Sequence, residues 1–184
     1  MISKELSATL GFAVREAKKR RHEYVCIEHV LFAILHDPAG IDIIENCGGD
    51  VDNLKTDLEG YFTDKMESVP EDDEFVLQQT IGFQRMIQRA VNHVRSAEKA
   101  EVSIGDILAS MFKEKDSHAV YFLKNQGITR LDVLNYISHE VSKLPFHQDQ
   151  GGFARTSREE KKKKTDPLEA VSYTHLTLPT IYSV

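Results

Sequence analysis

Residues 6–35, LSATLGFAVREAKKRRHEYVCIEHVLFAIL, return in altered form at residues 83–112, FQRMIQRAVNHVRSAEKAEVSIGDILASMF, a displacement of 77 positions. Ala13 and Val14 fall on Ala90 and Val91, and Val25, Ile27 and Leu31 fall on Val102, Ile104 and Leu108. Between these identities the residue class is kept, as in Leu10 with Ile87, Lys18 with Arg95, Val30 with Ile107 and Ile34 with Met111. The same register carried to residue 58 pairs Val51 with Ile128 and Leu54 with Leu131. A constant displacement over four expected helices is the mark of a duplicated unit. Two copies with matching apolar faces are expected to pack as a pseudo-twofold pair. The fold expected is therefore all-α, about eight helices, with a groove between the halves.

In the first copy, Leu6, Leu10, Ala13, Val14 and Ala17 recur at three- and four-residue spacing, so residues 3–20 read as an amphipathic helix. The link from Arg21 to Cys26 leads into a helix carrying Val30, Leu31, Ile34 and Leu35, which Asp37-Pro38 should stop. Ile41, Ile43 and Ile44 make a third helix ending near Gly48-Gly49. Asp50 is placed to cap a fourth, through Val51, Leu54, Leu58 and Phe62. In the second copy Ile81, Met86, Ile87, Ala90, Val91 and Val94 repeat the first pattern, and Ser103 with Asp106 forms a shorter relative of a capping box. Residues 118–124 read as a short helix with Gly127 at its C-terminal cap, and residues 129–143 as the last one.

The domain plan that follows has repeat 1 at 1–64, an acidic linker at 65–79 and repeat 2 at 80–144. In the linker Glu67, Glu71, Asp72, Asp73 and Glu74 surround Pro70. Residues 145–170 are too polar to fold alone and read as a flexible charged linker. Residues 171–184 resemble a translated sequencing adapter, so the native chain is expected to diverge after Ala170 and to continue.

The 184 residues, 41% hydrophobic and 28% charged, are those of a globular protein with a real core. No apolar run approaches the roughly 20 residues that span a bilayer, and residues 1–5 lack a signal-peptide layout. Two cysteines, Cys26 and Cys47, without metal-ligand spacing, fit a reducing cytoplasm. Residues 1–145 carry 17 Lys and Arg against 24 Asp and Glu, which disfavours duplex nucleic acid and suits a basic protein partner. Lys161 to Lys164 read as a solvated run rather than a nucleic-acid tail.

The link and second helix, Arg21-His22-Glu23-Tyr24-Val25-Cys26-Ile27-Glu28-His29-Val30-Leu31, carry a recognisable signature. They resemble the R-H-E-[FY]-x-T-x-E-H-L-L stretch of the Clp N-domain (Clp repeat) family in its ClpA form, the unfoldase subunit of the bacterial Clp protease. The resemblance runs over residues 1 to about 145, through Phe83-Gln84-Arg85, Gln88 to Val91, Glu101-Val102 and Thr129 to His139. Asp166-Pro167-Leu168-Glu169 looks like the lead-in to that family's first ATPase module. Cys26 departs from the family's helix-capping threonine, so a weaker helix start is expected there.

The resemblance implies a docking domain of a ClpA-type ATP-dependent unfoldase, cytoplasmic and monomeric when isolated. Its implied partners are a ClpS-type adaptor, N-degron or unfolded protein substrates, and a ClpP-type peptidase reached through ATPase modules not present here. The implied adaptor contacts are Glu23, Glu28 and Thr80, the two carboxylates being expected at the surface beside the link. The alternative is a related ClpC- or ClpB-type N-domain binding unfolded protein directly.

Other chemistries find little footing. Tyr24, beside a helix start, is expected in the core rather than as an interface anchor. His29 and His36 lie two helical turns apart, about 10 Å, too far for one ion, and no metal site is expected. Cys26 with His29 shows no orienting third group, so no catalytic residues are expected. No G-x-x-x-x-G-K-[ST] occurs, so no cofactor is expected in this chain, ATP and magnesium belonging to the further modules.

Overall fold

The computed structural model describes residues 1–144. The expectations for residues 145–170 and 171–184 lie outside the described residues. The first copy contributes α1 (Lys4–Lys19), β1 (Tyr24–Val25), α2 (Ile27–Ile34), α3 (Pro38–Asn46) and α4 (Val51–Asp64). The second contributes β2 (Gln78–Gln79), α5 (Ile81–Ser96), α6 (Ile104–Met111), α7 (His118–Asn125) and α8 (Arg130–His139).

The duplication is visible at the helix ends. Ser3 Oγ accepts from Leu6 N–H at 3.1 Å to start α1, and Thr80 Oγ1, 77 residues on, accepts from Phe83 N–H at 3.2 Å to start α5. Each satisfies one of the four donors that a helix N-terminus leaves unpaired. Both helices then exit through a left-handed residue, Arg21 at φ 57° and Glu98 at φ 53°. At the start of α6, Ser103 and Asp106 close the expected capping box. Asp37-Pro38 ends α2 as expected and also starts α3, since Asp37 Oδ1 accepts from Ala39 and Gly40 N–H and Pro38 occupies the first turn.

The constant register does not survive into the last two helices of each copy. The capping residues Asp50 of α4 and Thr129 of α8 stand 79 apart, not 77. Three extra residues between α6 and α7, less one in the shorter α7, therefore turn the faces of α8. Leu54 is 0% exposed, whereas Leu131, its expected counterpart, is 64% exposed; Val133, at 0%, takes the core position. Leu31 and Leu108 are both fully buried.

The halves also interlock rather than facing one another across a simple groove. α3 packs on α6 and α8, and α7 packs on α2 and α4, so each copy's later helices cover the other copy's core. The strand segments are exchanged in the same way. β1 pairs in parallel with β2, and Ile2 bridges Val102, so the residues just before each copy's first helix bond to the other copy's link. Thr80 N–H donates to Val25 O at 3.2 Å and Ser3 N–H to Val102 O at 3.0 Å, two bonds related by the 77-residue step. The buried apolar side chains of both copies form one cluster.

Candidate functional site

β1 ends in the link that carries the family signature, and its pairing brings together residues far apart in the chain. Gln78 N–H donates to Glu23 O at 2.8 Å, and Thr80 follows directly, so Glu23 and Thr80 lie on one ribbon. Glu23 is exposed and Thr80 half-buried. Tyr24, expected in the core, is 43% exposed instead, because the alternation along β1 turns Val25 inward at 1%. Val76 and Ile81 flank the ribbon at 80% and 70% exposure. Arg21 ties the preceding acidic segment down: its guanidinium donates to the carbonyls of Val69, Pro70 and Asp73 and lies over the Phe75 ring. The segment carrying exposed Glu67, Glu71, Asp72, Asp73 and Glu74 is thereby tied to Arg21, two residues before Glu23.

Glu28 is not the surface carboxylate expected. It is 6% exposed, and Oε1 accepts from Ser117 Oγ at 3.0 Å, His118 N–H at 2.8 Å and Ala119 N–H at 3.3 Å. It caps the N-terminus of α7, where a negative charge is favoured by the helix dipole. A cap supplied by another copy's helix is invisible in a linear reading, because nothing between residues 28 and 117 signals that the two meet.

The histidines are also differently placed. His22 and His29 touch, Nδ1 to Nε2 at 2.8 Å, and His29 stacks on Phe62 at 4.8 Å between ring centroids. His29 Nδ1 accepts from Cys26 N–H at 3.1 Å, which obliges its Nε2 to carry the proton donated to His22. His29 thus supplies the reciprocal half of a capping box at Cys26, so the start of α2 has a device in place of the missing threonine. Burial, then neighbouring His22 and Arg20, pushes the His29 imidazolium down to about 3; burial and Arg20 also lower His22. Burial and Glu28 push the Cys26 thiol up. A protonated thiol against a neutral imidazole, 3.2 Å apart, is a structural contact rather than an activated nucleophile. His36 is elsewhere, its ring 5.3 Å from that of Phe12. Among the described residues no group of three His, Cys, Asp or Glu converges to hold a metal ion, and no helix is long and apolar enough to cross a membrane.

The described residues thus form a duplicated all-α domain, cross-braced by paired links and carrying an exposed ribbon. A family model described as the Clp repeat (R) N-terminal domain matches residues 1–126, and the chain belongs to that family. A ClpA homolog protein from Fuscovulum blasticum is 36% identical over 148 residues, an alignment covering 79% of this chain and 18% of the relative. The chain thus spans only 18% of that relative's length. Among solved structures, the N-domain of ClpV from Vibrio cholerae superposes with a TM-score of 0.62 at 19% identity, covering 77% of this chain and 87% of that one. The Hsp104 N-terminal domain from Candida albicans gives 0.61 at 13%, covering 72% and 85%. At these identities the structural likenesses establish the fold.

Proposed function

We propose that this domain is the adaptor- and substrate-docking N-domain of a ClpA-type ATP-dependent unfoldase, working in the cytoplasm and feeding a ClpP-type peptidase. Its partner is a ClpS-type adaptor that delivers N-degron substrates. ATP and magnesium act in the ATPase modules of the whole protein. The observation that supports this reading is the β1–β2 pairing, which sets Glu23 and Thr80 on one exposed ribbon with Tyr24, Val76 and Ile81 around them. An apolar strip beside a held acidic segment suits a partner with a basic rim, since charge complementarity steers encounter and orientation. Glu28 acts as a positioning residue, fixing α7 against α2, the helix that follows β1.

Titrating labelled ClpS-type adaptor by fluorescence anisotropy at two salt concentrations tests the reading. Glu23→Lys replaces an attractive contact by a repulsive one and should weaken binding more than tenfold, about 1.4 kcal/mol. Raising salt should erode wild-type binding, because exposed charges are screened over about 10 Å at 0.1 M. The melting temperature should not move, as Glu23 is exposed. Equal affinities of wild type and variant would remove Glu23 from the site. A wild type that ignores the adaptor but binds a permanently unfolded polypeptide would instead favour direct capture, as in a ClpC- or ClpB-type N-domain.

A further inference from the structure

The second copy contains a cavity at a place where the first copy is filled. Phe12, Phe32 and His36 of the first copy pack ring against ring, Phe12 stacked on Phe32 with centroids 6.4 Å apart and His36 tilted against Phe32 at 4.5 Å. The residues 77 positions on are Arg89, Ala109 and Lys113, and all three line a cavity of about 210 Å³ between α5, α6 and the start of α8. Replacing a ring by the methyl of Ala109 opens the space, and replacing the other two rings by cations sets its charge. Arg130 also lines it, its Nε donating to Ala109 O at 3.3 Å.

The carboxylates nearby are already engaged. Asp106 is 3% exposed and spends its oxygens on Ser103 N–H, Ser103 Oγ and Lys99 Nζ, at 2.9, 2.8 and 3.2 Å. Glu114 is shared between Arg85 and Arg89, and the bidentate Arg85 contact depresses its carboxyl below the usual range. These groups amount to five cations, Arg85, Arg89, Lys99, Lys113 and Arg130, against two carboxylates. Among the described residues Lys113 and Arg130 pair with no carboxylate. This excess of positive charge sits in a chain whose net charge is -6. The volume falls below the roughly 300 Å³ at which pockets for whole small molecules begin, so it suits a single side-chain group. Leu131, next to Arg130 in the chain, is 64% exposed.

We infer that this cavity is an oxyanion subsite that takes a side-chain carboxylate of an acidic peptide segment, held by Lys113, Arg130 and Arg89. Its lining shares no residue with the β1–β2 ribbon and is of opposite charge, so the domain presents two docking surfaces for differently charged segments. Guanidinium and ammonium donors against a carboxylate form charge-assisted hydrogen bonds, the stronger kind.

The test is a titration of the full chain, labelled with ¹⁵N, with a short peptide of alternating Glu and Ala. The same peptide with Gln for Glu, and inorganic phosphate as competitor, run alongside. Amide shifts should gather on α6 and the start of α8, the Gln peptide should not bind, and phosphate should displace the Glu peptide. Lys113→Ala combined with Arg130→Gln should weaken binding at least tenfold without altering the circular dichroism spectrum. Ala109→Phe, which restores the first copy's residue, should abolish binding; if that variant fails to fold, the double variant still decides. Equal binding of the Gln peptide, an unaffected double variant, or shifts confined to the β1–β2 ribbon would overturn the proposal. Phosphate binding without peptide binding would overturn the assignment to a protein segment.

Discussion

The two copies place the same helices at the same spacing and fill them with different chemistry. Around α1 and α2 the filling is aromatic: Phe32 meets Phe12 stacked, His36 tilted and Phe62 edge-on, with Arg20 over the Phe32 and Phe62 rings. Around α5 and α6 it is ionic: Arg85 and Arg89 on Glu114, and Lys99 on Asp106. The third residue of α2, His29, and the third residue of α6, Asp106, perform the same capping task, one as a neutral imidazole and one as a carboxylate. After duplication the backbone geometry is shared, because caps and apolar spacing tolerate several residue types. The side chains between the helices can then diverge as long as volume is filled or charge is paired. Repeat 1 carries the aromatic group at this position, and repeat 2 the cation-lined cavity.

Core positions should show the least divergence and the largest effects. Leu31→Ala and Leu108→Ala each remove a fully buried side chain and should each cost roughly 2–5 kcal/mol in urea unfolding. A large loss at one and near neutrality at the other would break the equivalence of the two copies. Glu28 has no counterpart, since the residue 77 positions on is Gly105, where a Cβ would come within 2.5 Å of Ile137 Cγ2. Glu28→Ala leaves the Ser117 hydroxyl and the His118 amide without their acceptor, while Ala119 N–H keeps Ser117 Oγ at 3.1 Å. It should cost about 3 kcal/mol, with Glu28→Gln costing less because its amide oxygen still accepts. Equal losses for the two substitutions would show that charge, not hydrogen bonding, holds α7 in place.

The capping residues give the smallest of the three effects, and the one specific to repeat 1. His29 has its folded-state value pushed down to about 3, below its unfolded value of 6.5. The unfolded chain therefore takes up the proton first, and the stability present above pH 6.5 falls as pH drops toward 3. At pH 5 the loss from this residue is about 2 kcal/mol. Urea unfolding at pH 7.5 and 5, on wild type and His29→Leu, measures it. The variant should lose that share of the pH dependence, and an unchanged slope would assign it to other groups.

Local chemistry made much of this fold readable. Ser103 with Asp106, and Asp50 ahead of Val51, identify helix starts because a cap acts over three residues. The burial of Leu31 and Leu108 follows from helical spacing. The register break was hidden because Val51 with Ile128 and Leu54 with Leu131 look conservative, although two extra residues after α6 had already turned α8. Tyr24 looked like core because an aromatic beside a helix start usually packs inward. Only the pairing with Gln78 establishes the strand alternation that turns it out. Glu28 and the His22–His29 contact were unreadable for the same reason, since each acquires its role from a distant residue.

What the sequence by itself determined is the duplication, the all-α class, the caps and the apolar positions of α1, α2, α5 and α6. These depend on interactions within one or two helical turns and on a periodicity that any copy must keep. The tertiary structure decided which acidic residue faces solvent, which aromatic is exposed, how the copies exchange their links, and where the second copy is hollow. Those outcomes depend on which surfaces meet across the pseudo-twofold relation. Burial, hydrogen-bond partners and charge balance at each position are properties of that meeting, and no single stretch of chain contains them.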